Sequence, residues 1–265
     1  MTVSLSSESL RLALHGASGR MGRQLLAQLE GCGDLALVGA WVGGGSAVLG
    51  RPVPGTDLAY ARLGEAAAPP QVVIDFSRAD VFDAVLDWCR QHRVALVSGT
   101  TGLGDQQFAR MSSAAVDIPV LWAANFSLGV AVLARLVAEA ARALPHWDAE
   151  ILEAHHAGKR DAPSGTALVL GRELAAARGQ ALADCAVPAR HGGDQPRQAG
   201  GIGFASLRAG DIVGEHTVLL AGSGERLELV HRAGDRAIFA RGALHAARWL
   251  AARAPGLYGL QHTLA

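Results

Sequence analysis

Residues 155–168 bring His155, His156, Lys159, Arg160, Asp161, Ser164 and Thr166 into one short run. These are side chains able to move a proton and hold an anion. Imidazoles titrate nearer neutrality than any other side chain and suit general acid chemistry, and Lys159 adds a compact positive charge beside them. Downstream, Asp161, Ser164 and Thr166 are capping candidates, Pro163 stands near the expected first turn, and Ala167 to Leu170 continue inward. Together they predict a helix from Ser164 to about Arg178. Backbone N–H groups at a helix start favour an anion. A small dianion can thus be held between Lys159 and that helix start, with a histidine over the reacting atoms. A plainer account stays open on these residues alone: the histidines end a strand, Lys159 and Arg160 are solvated, and Ser164, Gly165 and Thr166 merely cap a helix. A metal site is disfavoured, because adjacent histidines on an extended segment face opposite sides and no nearby cysteine completes a ligand set.

The chain that must position these residues has 265 of them, half hydrophobic, with 24 basic against 24 acidic side chains. That length allows one large domain or two smaller ones. Zero net charge points away from nucleic acid and toward small solutes. Cys32, Cys89 and Cys185 are odd in number and far apart, which indicates neither a disulfide framework nor a zinc site and fits a reducing cytoplasm. Residues 1–8 lack the basic start and apolar core of a signal peptide. The apolar stretch 128–144 is interrupted by Arg135, Glu139 and Arg142, so it is expected to be an amphipathic helix and not a membrane span.

The first half alternates strand and helix signals. A strand at 11–15 runs into Gly16, Ala17, Ser18, Gly19, Arg20, Met21 and Gly22, and helical spacing follows from Arg23 to Glu30. In such a strand, glycine turn and helix, glycine lets backbone approach a phosphate and the helix start supplies N–H donors. Further strands are expected at 35–41, 72–75, 94–98 and 119–122, so the fold class is α/β with a doubly wound parallel sheet. Ligands of such sheets lie beyond the strand carboxyl ends. Here those ends carry Phe76 and Ser77, then Gly99, Thr100, Thr101 and Gly102, then Ala123, Ala124, Asn125, Phe126 and Ser127. After the second strand a carboxylate normally meets the adenosine ribose, or an arginine a 2′-phosphate. This chain has Trp41, Val42, Gly43, Gly44, Gly45 and Ser46 instead, and the choice between NADH and NADPH stays open.

In the second half, a strand over 147–155 leads into the 155–168 run. Three extended runs, 202–208, 212–220 and 226–231, have few helices between them and suggest a mixed or antiparallel sheet. A last helix is expected from 236 to 253.

Five segments in order over nearly the full chain, 16–22, 99–102, 124–127, 153–168 and 208–217, resemble the 4-hydroxy-tetrahydrodipicolinate reductase family, also called the dihydrodipicolinate reductases. The resemblance implies a Rossmann-like dinucleotide-binding domain of residues 1–125 plus 236–265. It also implies an α+β domain with a mixed sheet, 126–235, for substrate binding and homotetramer assembly. The implied reaction belongs to lysine and diaminopimelate biosynthesis. The hydroxylated cyclic imine dicarboxylate loses water, NADH or NADPH delivers hydride to ring C4, and a proton adds at the neighbouring carbon. By the same resemblance the cofactor is held by Gly16, Ala17, Ser18, Gly19, Arg20, Met21, Gly99, Thr100, Thr101, Ala123, Ala124, Asn125 and Phe126. His155 is the implied general acid and Lys159 the second proton donor and anchor, with His156, Lys159, Ser164, Gly165 and Thr166 on the substrate. Family members commonly carry an acidic residue after the second strand, which this chain lacks.

Overall fold

A computed structural model describes residues 9–264; the stretch 1–8, expected not to be a signal peptide, lies outside the described residues. The chain divides into two compact units, one running to Phe126 and resuming at Ala237, the other Ser127–Arg236.

The first unit opens with β1 (Leu10–His15), α1 (Arg20–Leu29), β2 (Leu35–Trp41), β3 (Tyr60–Ala61), β4 (Val72–Asp75), α2 (Ala79–His92), β5 (Ala95–Ser98), α3 (Asp105–Ala114) and β6 (Pro119–Trp122). β4 and β5 are buried at every position. Such unbroken burial is the pattern of strands covered on both faces, as parallel sheets require.

The second unit holds α4 (Leu128–Ala143), β7 (Asp148–His155), α5 (Gly165–Ala177), α6 (Leu182–Cys185), β8 (Ala186–Val187), β9 (Ile202–Arg208), β10 (Gly214–Ala221) and β11 (Arg226–Ala233). Its five-stranded sheet has the order β11-β10-β7-β9-β8. β10 runs antiparallel to both β11 and β7, whereas β7, β9 and β8 are parallel. Ala149, Ile151, Val218, Leu220, Ile202 and Phe204 pack on α4 and α5 through Leu133, Val137, Leu170 and Leu174. β10 starts at Gly214, two residues later than its apolar run suggests, because Ile212 and Val213 belong to the connection from β9. α5 begins at Gly165, so Pro163 stands ahead of the Ser164 cap, joined to Ala162 by a cis peptide.

Returning to the first unit, the chain adds α7 (Ala237–Leu250) and β12 (Gly256–Tyr258). α7 packs with Ala240, Ala243, Leu244, Ala247 and Leu250 buried. It ends three residues short of the expected 253 as the chain turns toward β12. All seven strands are parallel in the order β12-β6-β5-β4-β1-β2-β3. The chain builds outward in opposite directions from the β1/β4 pair, where doubly wound sheets bind ligands.

Candidate active site

The glycine turn of the first unit is set by backbone geometry. Gly16 sits at φ +79°, where a Cβ would lie 2.6 Å from the Phe76 carbonyl oxygen. A side chain is disfavoured there by conformation and by contact. The N–H groups of Gly16 and Ala17 both donate to the Trp41 carbonyl, at 3.0 and 3.1 Å, and that of Gly19 donates to Gly16 at 2.9 Å. A Cβ on Gly22 would overlap the carbonyls of Gly16 and Ala17, so α1 starts directly on the turn. Gly19 is its N-cap and offers no side-chain hydrogen bond. Arg20 is exposed, Ser18 and Met21 half-buried. These residues fit a pyrophosphate, which needs close backbone approach and N–H donors at a helix start.

Beside the turn, the strand ends align as Trp41, His15, Asp75, Ser98 and Trp122 in neighbouring register. Asp75, fully buried, is the hub of this row. Its Oδ1 accepts from His15 Nδ1 (2.8 Å), Ser77 N (3.2 Å) and Ser77 Oγ (2.6 Å); its Oδ2 accepts from Ser98 Oγ (2.8 Å) and Thr100 Oγ1 (2.7 Å). Burial pushes its carboxyl up, but the bonds from His15, Ser77 and Thr100 outweigh burial and hold it below the ordinary value. The same network fixes the 99–102 loop. Gly99 N–H donates to Asp75 O at 2.9 Å, Thr100 is buried with its carbonyl accepting from Trp122 Nε1 at 2.9 Å, and Thr101 is exposed. After β6, Ala123 N–H donates to Ser98 O, Ala124 is exposed and Asn125 half-buried, and Phe126 packs edge-on against Phe76 with centroids 5.3 Å apart.

In the second unit, β7 carries the key residues to its end. Glu153 is 2% exposed, yet its carboxylate is well provided with donors. Its Oε2 accepts from His155 Nδ1 at 2.6 Å and Arg208 Nη1 at 2.8 Å; its Oε1 accepts from Arg208 Nη2 at 2.7 Å and Ser164 N at 3.1 Å. Burial pushes the carboxyl up; the bonds from Arg208, Ser206 and His155 overcome it and leave it at about 2. His155 is shifted below its ordinary value, chiefly by burial, against the opposing pull of Glu153.

His216 on β10 stacks edge-on against His155 with centroids 5.2 Å apart, and its Nε2 meets Ser164 Oγ at 3.1 Å. Burial, followed by the nearby His155, pulls His216 down to about 4. Ser164 Oγ also accepts from Ala167 N at 3.2 Å, capping α5, of which Gly165 and Thr166 are the first residues. His156 stands just past the strand end, where its carbonyl accepts from Lys159 N at 3.0 Å. Lys159 Nζ binds both oxygens of exposed Asp161, at 2.8 and 2.9 Å. Hydrogen bonds from Ala209 N to His155 O and from Ala157 N to Gly210 O pin this loop to the β9–β10 connection.

Thus His155, Lys159, Ser164, Gly165 and Thr166 share one end of the second unit, and the glycine turn with its neighbouring loops shares one edge of the first. In the sequence His155 and Lys159 stand out by type and spacing, whereas Glu153, Arg208, His216, Asp75 and His15 carry no assigned role there. The available signal was a charge within an apolar strand: Asp75 closes a run of Val72, Val73 and Ile74. Among the described residues, no group of three or more His, Cys, Asp or Glu is arranged to hold a metal, and no helix is long and apolar enough to cross a membrane.

Comparison with known proteins adds the lineage. Residues 10–126 match the family model described as dihydrodipicolinate reductase, N-terminus, and residues 129–264 match dihydrodipicolinate reductase, C-terminus. A 4-hydroxy-tetrahydrodipicolinate reductase of Alkalilimnicola ehrlichii is 48% identical over 265 residues, covering 96% of this chain and 98% of the relative. One of Stenotrophomonas maltophilia is 48% identical over 261 residues, covering 98% and 100%. The dipicolinate-bound dihydrodipicolinate reductase structure from Paenisporosarcina sp. TG-14 has the same fold, with a TM-score of 0.77 at 24% identity over 96% of this chain and 99% of that one. With both family models matched in order and full-length relatives at nearly half identity, the chain belongs to the dihydrodipicolinate reductase family.

Proposed function

We propose that the protein reduces the dehydrated ring of 4-hydroxy-tetrahydrodipicolinate to tetrahydrodipicolinate, as its relatives are named for doing, in lysine and diaminopimelate biosynthesis. The observation that carries this reading is the grouping of a carboxylate-bound histidine, a lysine and a capped helix start at one end of the 127–236 unit, in a chain whose other unit has a phosphate-fitting glycine turn. Bound NADH or NADPH supplies the hydride that adds to ring C4. The protein's own part is to hold two substrate carboxylates, orient the ring and deliver a proton to the neighbouring carbon. Ser164, Gly165 and Thr166 present the α5 start to one carboxylate. Lys159, released from Asp161, meets substrate charge with its ammonium, His156 adds a contact, and His155 donates the proton. Donors already fixed in place need little reorganisation as charge develops, which is where such a site gains over solvent.

Gly16 to Met21 would hold the pyrophosphate, and Gly99 to Thr101 with Ala123 to Phe126 the nicotinamide side. The absence of Asp and Glu from residues 41–46 leaves nothing to repel a 2′-phosphate, so NADPH is used at least as well as NADH. Assembly is as a homotetramer through the outward face of the mixed sheet, where Leu152, Leu207 and Val230 are exposed opposite the core-facing Ile151, Phe204 and Val218. Three unpaired cysteines agree with work in the reducing cytoplasm.

The test is oxidation of NADH and of NADPH, side by side, with the condensation product of pyruvate and aspartate semialdehyde. Turnover with both is expected, and no turnover with either overturns the reading. His155→Gln should lower kcat by roughly 10²–10⁴-fold, the share of a general acid.

A further inference from the structure

We propose that Glu153 is a positioning residue that ties the proton donor to the anion cradle: one buried carboxylate fixes His155 in the Nδ1–H form and anchors the first turn of α5. The inference rests on the reading of His155 as proton donor.

Glu153 reaches both partners at once, with Oε2 2.6 Å from His155 Nδ1 and Oε1 3.1 Å from Ser164 N. An ionised carboxylate only accepts, so the hydrogen between Glu153 and His155 belongs to Nδ1. The other ring nitrogen, Nε2, is left to serve substrate. Around it the structure keeps room: a Cβ at Gly214 would stand 3.1 Å from Nε2, so any side chain there would crowd that nitrogen. The His216 ring, edge-on at 5.2 Å, limits rotation of the imidazole.

Arg208 keeps Glu153 ionised through two bonds, and its Nη2 also reaches the Asp161 carbonyl at 2.6 Å, joining the loop that carries Lys159. The charged and titratable groups facing His155 are therefore Glu153 on its own strand, Arg208 on β9, His216 on β10, and Lys159 with Asp161 on the loop. Among them Glu153 raises the proton affinity of His155, and Lys159 and Arg208 lower it. Ser164 completes the tie, because its N–H is held by Glu153 while its hydroxyl caps α5.

The experiment is a cycle of Glu153→Gln, His155→Gln and the double variant, with kcat and kcat/KM followed across pH. Glu153→Gln is expected to lower kcat by about tenfold or more and to move the alkaline limb to lower pH, since the neutral amide no longer favours the imidazolium. It should cost little further kcat once His155 is already replaced, while loss of its bond to Ser164 raises KM in both backgrounds. A wild-type alkaline limb in E153Q, or an equal fold-loss of kcat in both backgrounds, overturns the proposal and leaves His155 as donor. Unchanged turnover in H155Q alone overturns the donor reading instead. Should E153Q fail to fold, nitrogen NMR of the wild-type imidazoles decides: His155 protonated at Nδ1 in its neutral form is expected, and protonation at Nε2 overturns the assignment.

Discussion

Asp75 Oδ1 lies 2.8 Å from His15 Nδ1, both residues buried where β4 and β1 end side by side. The carboxylate also takes the hydroxyls of Ser77, Ser98 and Thr100, so it ties the end of β1 to the end of β5 and to the loops that follow β4 and β5. Removing one member of such a buried charged network leaves the others without partners, at about 3–5 kcal/mol. Asp75→Ala is expected to destabilise by that order in denaturant unfolding and to weaken NADH binding measured by fluorescence titration. Unchanged stability and affinity together would show that the network is incidental to the turn.

Much of this frame was legible in the chain itself. The strands at 35–41, 72–75 and 119–122 agree with their observed bounds, each a mainly apolar run whose entry is marked by Asp34, Gln71 or Pro119. β3, β8 and β12 escaped, since two or three residues carry no period. In the candidate site, His155 and Lys159 stand out by type, but Glu153 reads as an ordinary strand carboxylate. Its meaning comes from Arg208, which is 55 residues away and reaches it only through the β7–β9 pairing. Asp75 was likewise hidden, because its partners arrive from β1 and from the loops after β4 and β5.

His216 gives the fold a weakness in mild acid. Burial and the neighbouring His155 hold it at about 4, below its ordinary 6.5, so the unfolded chain binds the proton more readily. The stability it contributes is complete above pH 6.5 and is lost as pH falls toward 4. Thermal melts across that range should show His216→Asn with a shallower decline than the wild type, though it starts less stable through loss of the Ser164 contact. Parallel curves would remove His216 from the acid response.

Glu153 acts in a lower window. Held at about 2 against an ordinary 4.5, it stabilises the fold fully above pH 4.5, and that contribution is lost as pH falls toward 2. Arg208→Ala takes the guanidinium from a buried carboxylate and should destabilise by about 3–5 kcal/mol at neutral pH. The deficit should shrink through the acid range as the carboxyl, left with His155 and Ser164, takes a proton. Denaturant unfolding at several pH values tests this, with a constant deficit as the contrary outcome.

On the proposed function, Lys159 exchanges the Asp161 carboxylate for one of the substrate's. Its partner Asp161 is 62% exposed, and solvent-exposed ion pairs contribute only about 0.2–1 kcal/mol. Substrate can therefore displace Asp161 at small expense. Asp161→Asn should lower KM by a factor of about 1.4–5, the same energy expressed as affinity, with kcat little changed. A raised KM would instead assign Asp161 to orienting Lys159. Lys159→Ala is expected to raise KM and lower kcat together, and intact turnover with an unchanged KM would remove it from the site.

On the proposed function, the loop that follows β2 is where the cofactor preference is set. Val42 N–H still bonds to Ala61 O, and Ser46 N–H closes a turn onto Gly43 O at 2.9 Å, so Gly43 is the first exposed residue beyond the ladder. A Cβ there meets nothing within 4 Å, and its φ is not in the left-handed region, so a larger side chain fits without strain. Gly43→Asp places a carboxylate where a dinucleotide fold meets the adenosine ribose. It should accept from the diol of NADH and repel the 2′-phosphate of NADPH. The ratio of kcat/KM for NADH over NADPH is expected to rise by about tenfold or more, since 1.4 kcal/mol of differential binding suffices for that factor. An unchanged ratio would mean that the adenosine ribose lies away from residues 41–46, and that another part of the first unit chooses the cofactor.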